Sequence, residues 1–389
     1  MTVYSFPWVP IQANAPTSGI PNLEPPSGRV LEEIFNRSIF NMDGLSPNPD
    51  GTPYDLQFPT SISRVEDGLD TWKLEGFSIR AVNPFNTSNV YSKFRNSSTR
   101  PSQYPNFAIY QELIRCELVI DGDLLGSSME KLVKNWGEPG DKMWSELDEW
   151  ERISEIISQA QAFHHLVHLR GFLGFHTPLM LIGTTVGELA SAPDDSISMI
   201  ALDHRPMAHN MIPSKSHLSE DDVRWILRHH NHFAVFFDKI KVMKPVSVAL
   251  NSLVSDLDPI VVLATMWSAL ESLVRSPSFE TRQSMAKRLA IIISDRGIQD
   301  KEEIYEEVLD LWKHRCAVIH GKSSLADVNI LESKSKGTVS DRHKEEIYVL
   351  YRTIDLFRVT CQIMIEKGVP FSKDELVEMQ ERFDSESSS

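Results

Sequence analysis

Residues 301–321 read KEEIYEEVLDLWKHRCAVIHG, and the fold of the C-terminal half is decided by how this stretch is read. Ile304, Val308, Leu311 and Arg315 recur at three- and four-residue steps, the period of one helix face. Leu309, Trp312, Cys316 and His320 form the neighbouring stripe. Glu302, Glu303, Glu306 and Glu307 load the start of the segment with acid, and Lys313, His314 and Arg315 load its end with base, as the helix dipole favours. Gly321 then stands where a helix terminus uses a residue free to take positive φ. The pattern predicts a helix over about 300–320.

That helix presents a problem of charge. Arg315 projects from an otherwise apolar face, where an unpaired cation is costly, so something anionic should meet it. In a purely architectural role, Asp310 or Glu307 would take the arginine and His320 would serve the helix end. In a chemical role the two residues form a phosphodiester kit. Arginine holds phosphate through two parallel charge-assisted hydrogen bonds, and histidine exchanges a proton near neutral pH. RNA suits such a kit because its ribose 2′-hydroxyl is a built-in nucleophile, which removes the need for a metal or a protein nucleophile. A regular helix turns by roughly 100° per residue, which sets Arg315 and His320 about 140° apart. Either the last turn is distorted near Gly321, or the site is assembled across two copies of the helix.

Working outward, the same period predicts helices at about 246–256, 258–275 and 280–295, and a long one over 341–367 carrying Ile347, Leu350, Ile354, Phe357, Cys361 and Met364. Pro245 reads as the break before this series. Ser219 to Asp222 caps a helix running through Phe237, and the helical period of Trp150, Ile153, Ile156, Ile157 and Ala160 continues toward Arg170. The apolar runs Leu179–Val186 and Ile197–Leu202 fit strands or buried helix. Upstream, Thr71–Arg80, Phe107–Tyr110 and Ile114–Ile120 alternate like half-buried strands, with Asp121-Gly122 following as a turn. Residues 1–60 are rich in Pro, Asn and Gly, with room for a short helix from Ser27 to Phe40. The expected fold class is α+β: a β-containing N-terminal domain with long loops (1–145), a mainly helical middle region (146–239), a helical bundle (240–370), and a C-terminal helix with polar tail (371–389).

Composition narrows the function classes. The 389 residues are 41% hydrophobic and 24% charged, an ordinary globular balance for two or three domains. A net charge of -15 argues against general nucleic-acid binding. Locally the balance reverses, because Lys313, Arg315, Lys322, Lys334, Lys336, Arg342 and Lys344 face only Asp327, Glu332 and Asp341 in the same segment. Cys116, Cys316 and Cys361 are far apart, which suits a reducing compartment and gives no zinc spacing. With no apolar stretch of membrane length and no signal-peptide pattern at the start, a cytoplasmic location is expected, with no membrane partner. His164 with His168, and His229, His230 and His232, are spaced so that a metal could bind, but no H-E-x-x-H accompanies them, and they read as residues of the surface or of amphipathic faces. No metal and no cofactor is expected; Gly-rich phosphate loops and G-x-S-x-G elbows are missing from the sequence.

The segment RCAVIHG at 315–321 resembles the R-x4-6-H motif of HEPN (higher eukaryote and prokaryote nucleotide-binding) domains, and in particular their Apea-like branch. Met266 to Val274 is similar to that family's A-L-E-x-L helix, and Ala286-Lys287-Arg288-Leu289-Ala290 matches the helix after it. The likeness covers roughly 240–370. Where many members carry a polar residue directly after the arginine, this chain has Cys316. The resemblance implies a bundle that forms a homodimer with its motifs face to face. It also implies metal-independent endoribonuclease activity in anti-phage defence or a toxin–antitoxin system. Arg315 and His320 would be catalytic, and a regulatory or antitoxin protein is a possible partner. Glu271, on an apolar-flanked face, would either pair with Arg288 or Arg315 as bundle glue or orient the catalytic arginine; Glu271 and Arg288 are thus expected in support, and Lys313, His314 and Lys322 as RNA-backbone contacts. The alternative is a non-catalytic HEPN-like module that dimerises or binds a nucleotide or protein.

Overall fold

The computed structural model describes residues 2–10, 76–81, 116–136, 142–171, 175–177, 179–186, 188, 198–202, 220–239, 243–255, 259–274, 282–319, 341–368 and 370–387. The expected strand at 107–110, the short helix at 27–40, His320, Gly321 and Lys322 lie outside the described residues. What is described is mostly helical, with a small antiparallel sheet.

The sheet consists of β1 (Val3–Pro10), β2 (Phe77–Ala81), β3 (Cys116–Asp121), β4 (Phe175–His176), β5 (Leu179–Ile182) and β6 (Ser198–Ala201). Its order is β2-β3-β1-β5-β6, and β4 pairs with the end of β1. The central strand β1 contains Pro7, which cannot donate to a ladder. β5 pairs only Tyr4 and Ser5, and β4 only Val9 and Pro10, so Pro7 falls in the gap between them and pairs with β3 alone among the described residues. The sheet takes strands from both sides of the division expected at 145/146, since β1 pairs with β5. One face sends Tyr4, Phe6, Leu118, Ile120 and Met180 into the main core. On the other face, the buried Glu117 carboxylate accepts from Ser5 Oγ and from the backbone N–H of Val186.

Asp121-Gly122 is not a hairpin turn. Gly122 opens helix α1 (Gly122–Trp136), and Asp121 Oδ1 accepts from the backbone N–H groups of Asp123 (3.0 Å) and Leu124 (3.1 Å). Asp-Gly satisfies turn chemistry and helix-cap chemistry equally well, and here the cap prevails. Helix α2 (Glu149–Leu169) begins with a capping box: Asp148 accepts from Glu151 N–H at 2.8 Å, and Glu151 accepts from Asp148 N–H at 3.0 Å. Helix α3 (Glu220–Lys239) packs on α2. Between them, Phe77 and Phe163 stack at 6.1 Å and His230 Nε2 reaches Gln159 O at 3.1 Å.

The bundle comprises α4 (Met243–Ser255), α5 (Pro259–Val274), α6 (Arg282–Ser294), α7 (Lys301–Ile319), α8 (Asp341–Lys367) and α9 (Lys373–Glu386). Pro245 does not precede the helix; it is the third residue of α4, in the first turn, where an amide has no helical acceptor to lose. The main contacts pair α4 with α5, α6 with α7, α5 with α8, and α6 with α9. Trp267, Leu270, Leu289, Ile304, Val308 and Phe357 are fully buried where these faces meet. At the junction with the sheet half, Arg170 donates from Nε to Asp222 (2.7 Å) and from Nη1 to Gln362 (3.0 Å), tying α2, α3 and α8 together.

Candidate functional site

Helix α7 starts as its sequence predicts. Asp300 Oδ1 accepts from the backbone N–H groups of Glu302 (2.9 Å) and Glu303 (3.4 Å), and these N–H donors hold its carboxyl below the usual aspartate range. Ile304, Val308 and Leu311 face the core, so the stripe identified from the sequence is real. Arg315 continues that stripe at its exit from the core, with its side chain 22% exposed.

Neither helix acid takes the arginine. Glu307 is bound by Arg352 of α8 in a two-pronged pair, at 2.5 Å and 2.8 Å. Asp310 lies 3.4 Å from His314 Nε2. The acid that Arg315 does meet is Glu271 of α5, at 3.7 Å. That separation is well beyond the roughly 2.7–2.9 Å of a charge-assisted hydrogen bond. The Nη1 group points at Cys316 Sγ at 3.9 Å, a weak acceptor, and Nε is buried with no hydrogen-bond partner. The guanidinium lies over the Trp312 ring, 5.1 Å from its centroid. Trp312 in turn meets Trp267 edge to face, at 5.4 Å and 87°. The site is therefore a two-rung ladder between α5 and α7, with Trp267 opposite Trp312 and Glu271 opposite Arg315.

The other expected residues divide. Glu271 stands beside Arg315, as a supporting role requires. Arg288 does not. Its Nε donates to Leu376 O (2.8 Å), Nη1 to Val274 O (3.0 Å) and Nη2 to Gln380 Oε1 (3.2 Å). It joins the C-terminal end of α5 to α9 and is 3% exposed. Lys313 is exposed and His314 half-buried on the same end of α7. Trp312 was placed by the sequence in a stripe but given no role; its signal is the three-residue step to Arg315, which stacks side chains on a helix.

Three histidines of α2 and one of α3 belong to the core. His164, His165, His168 and His230 are all buried. Burial pushes His164 down to about 3 and His165 to about 4, and His168 well below the ordinary imidazole range. His165 Nε2 lies 2.9 Å from Asn251 Oδ1, and His164 packs edge-on against Phe6. Among the described residues, no group of three His, Cys, Asp or Glu side chains is arranged to hold a metal ion. Among the same residues, no helix is long and apolar enough to cross a membrane. Compared with known protein families, curated proteins and solved structures, the chain matches none.

Proposed function

We propose that the chain is a metal-independent endoribonuclease of the HEPN type, with its site at the C-terminal end of α7, acting in anti-phage defence or as the toxin of a toxin–antitoxin pair. The observation that supports this is the state of Arg315. It is held on a bundle face by an aromatic ring and a distant carboxylate, and no acceptor among the described residues lies within charge-assisted hydrogen-bond distance. A guanidinium in that state can still offer its donor edge to a phosphate.

In the proposed reaction the ribose 2′-oxygen attacks the adjacent phosphorus and gives its proton to a general base. The bond from phosphorus to the 5′-oxygen breaks, and the leaving oxygen takes a proton from a general acid. His320 supplies acid or base catalysis, and Arg315 stabilises the charge that develops on the non-bridging oxygens. Lys313, His314 and Lys322 hold the flanking backbone. Two copies of the bundle, motif to motif, bring together groups that a single regular helix would splay apart. The products are a 2′,3′-cyclic phosphate and a free 5′-hydroxyl. The sheet half would restrain the bundle until a trigger or partner releases it.

A second reading, a non-catalytic dimerisation or ligand-binding module, draws on Glu271, whose carboxylate partly offsets the charge of Arg315. Growth separates the two readings. Cells expressing the wild-type chain should arrest, with total RNA fragmented on a gel, and Arg315→Ala or His320→Ala should restore both growth and intact RNA. Arrest that persists in both variants with RNA intact would favour the module.

A further inference from the structure

An arginine that binds phosphate must be fixed in place without spending its donors on the protein. Long side chains are mobile, and an ion pair or hydrogen bond that immobilised Arg315 would occupy the N–H edge that a phosphate needs. A ring face is different. It attracts the flat face of the guanidinium and leaves the in-plane N–H groups untouched. The guanidinium carbon of Arg315 lies 5.1 Å over the centroid of the Trp312 ring. The carboxylate of Glu271, at 3.7 Å, sets the local charge, but it is too distant to define the guanidinium plane.

The platform is itself anchored. Trp312 is half-buried and abuts Trp267 edge to face at 5.4 Å. Trp267 is fully buried among the bundle helices. The orientation of the outer indole is thus set by the core, and a continuous chain of contacts runs from Trp267 through Trp312 to Arg315. Edge-to-face pairs of this kind are a preferred aromatic geometry.

We infer that Trp312 is a positioning residue for Arg315, its indole face holding the guanidinium while the terminal Nη groups remain for the phosphate oxygens of an RNA backbone. The geometric part stands on the ring contacts alone; the functional part rests on the ribonuclease reading. The test compares Trp312→Phe with Trp312→Leu in the full-length chain, each checked for an unchanged thermal unfolding midpoint. One readout is the Arg315 side-chain Nε–H resonance, assigned by its loss in Arg315→Lys. The other is cleavage of bulk transfer RNA. Stacking should shift the wild-type resonance through the ring current; Trp312→Phe should keep most of that shift, and Trp312→Leu should lose it. Cleavage at saturating RNA should fall about 10-fold in Trp312→Leu and stay within about 3-fold of wild type in Trp312→Phe, with apparent affinity moving less than rate. A resonance in Trp312→Leu identical to wild type overturns the proposal, as does an equal loss of cleavage in both variants. If the wild-type chain cuts no RNA while the resonance behaves as described, the ribonuclease reading fails and the positioning of Arg315 by Trp312 stands.

Discussion

The last turns of α5 receive two arginines that are treated in opposite ways. Arg288 reaches the terminal carbonyl of Val274 and also binds Leu376 O and Gln380, so all three of its nitrogens are engaged. Arg315 reaches toward Glu271, one turn earlier, and stays 3.7 Å from it, with no hydrogen-bond partner for Nε among the described residues and a ring face beside it. Both sit in the region of family resemblance, and both were expected to serve one site. A cation saturated with backbone acceptors is part of the frame. A cation with a ring face beside it and no close acceptor among the described residues still has donors to give.

The comparison can be broken most easily at Arg288. Arg288→Ala should cost roughly 3 kcal/mol, because it removes a buried cation and the three hydrogen bonds by which it joins α5 to α9. Chemical denaturation gives the size, and hydrogen exchange should show α9 losing protection first. A loss no larger than that of a typical surface change would contradict the assignment.

The buried histidines extend the contrast to groups kept neutral. Their pKa values are depressed in the folded chain, to about 3 for His164 and about 4 for His165, from an unfolded value near 6.5. Below pH 6.5 the unfolded chain therefore binds protons that the folded chain refuses. Stability is fully present above pH 6.5 and falls between pH 6.5 and about 4, by up to about 1.4 kcal/mol per pH unit for each histidine. His164→Leu should flatten the slope of unfolding free energy against pH in that window; an unchanged slope would mean that the imidazole already titrates in the fold.

Arg315 should behave in the opposite sense to Arg288. Arg315→Ala should change stability by less than about 1 kcal/mol, because the group makes no close polar contact among the described residues. A larger loss would recast it as a second structural arginine. The smallest effect belongs to the ion pairs around α9, Lys287 with Asp384 and Arg382 with Asp295. Lys287→Ala should lower the melting temperature slightly at low salt and not measurably at high salt.

Much of the bundle was legible because its signals are local. The long helix over 341–367 matches the structure at both ends, and the period of Ile304, Val308 and Leu311 does face the core. The sheet was harder to read. β1 hides behind Pro7 and Pro10 in a loop-like composition, and its partners lie far along the chain, at β3 and β5. Helix α1 was lost to the double meaning of Asp121-Gly122. In the site, the unusual position of Arg315 could be read from one helix. Glu271 was among the acids the sequence offered it; that Glu307 would be taken elsewhere could not be read, because Arg352, which claims it, arrives from another helix. The fate of Arg288 was similarly hidden, since Leu376 and Gln380 belong to α9.

On the proposed reading, Arg315 is held ready for an RNA phosphate. The most direct test is end-group analysis of RNA incubated with the purified full-length chain in excess EDTA. Fragments bearing 2′,3′-cyclic phosphates and 5′-hydroxyls, formed by the wild-type chain and not by Arg315→Ala, are the expected result. Intact RNA, or fragments with 3′-hydroxyl and 5′-phosphate ends that attack by a 2′-hydroxyl does not produce, would contradict it.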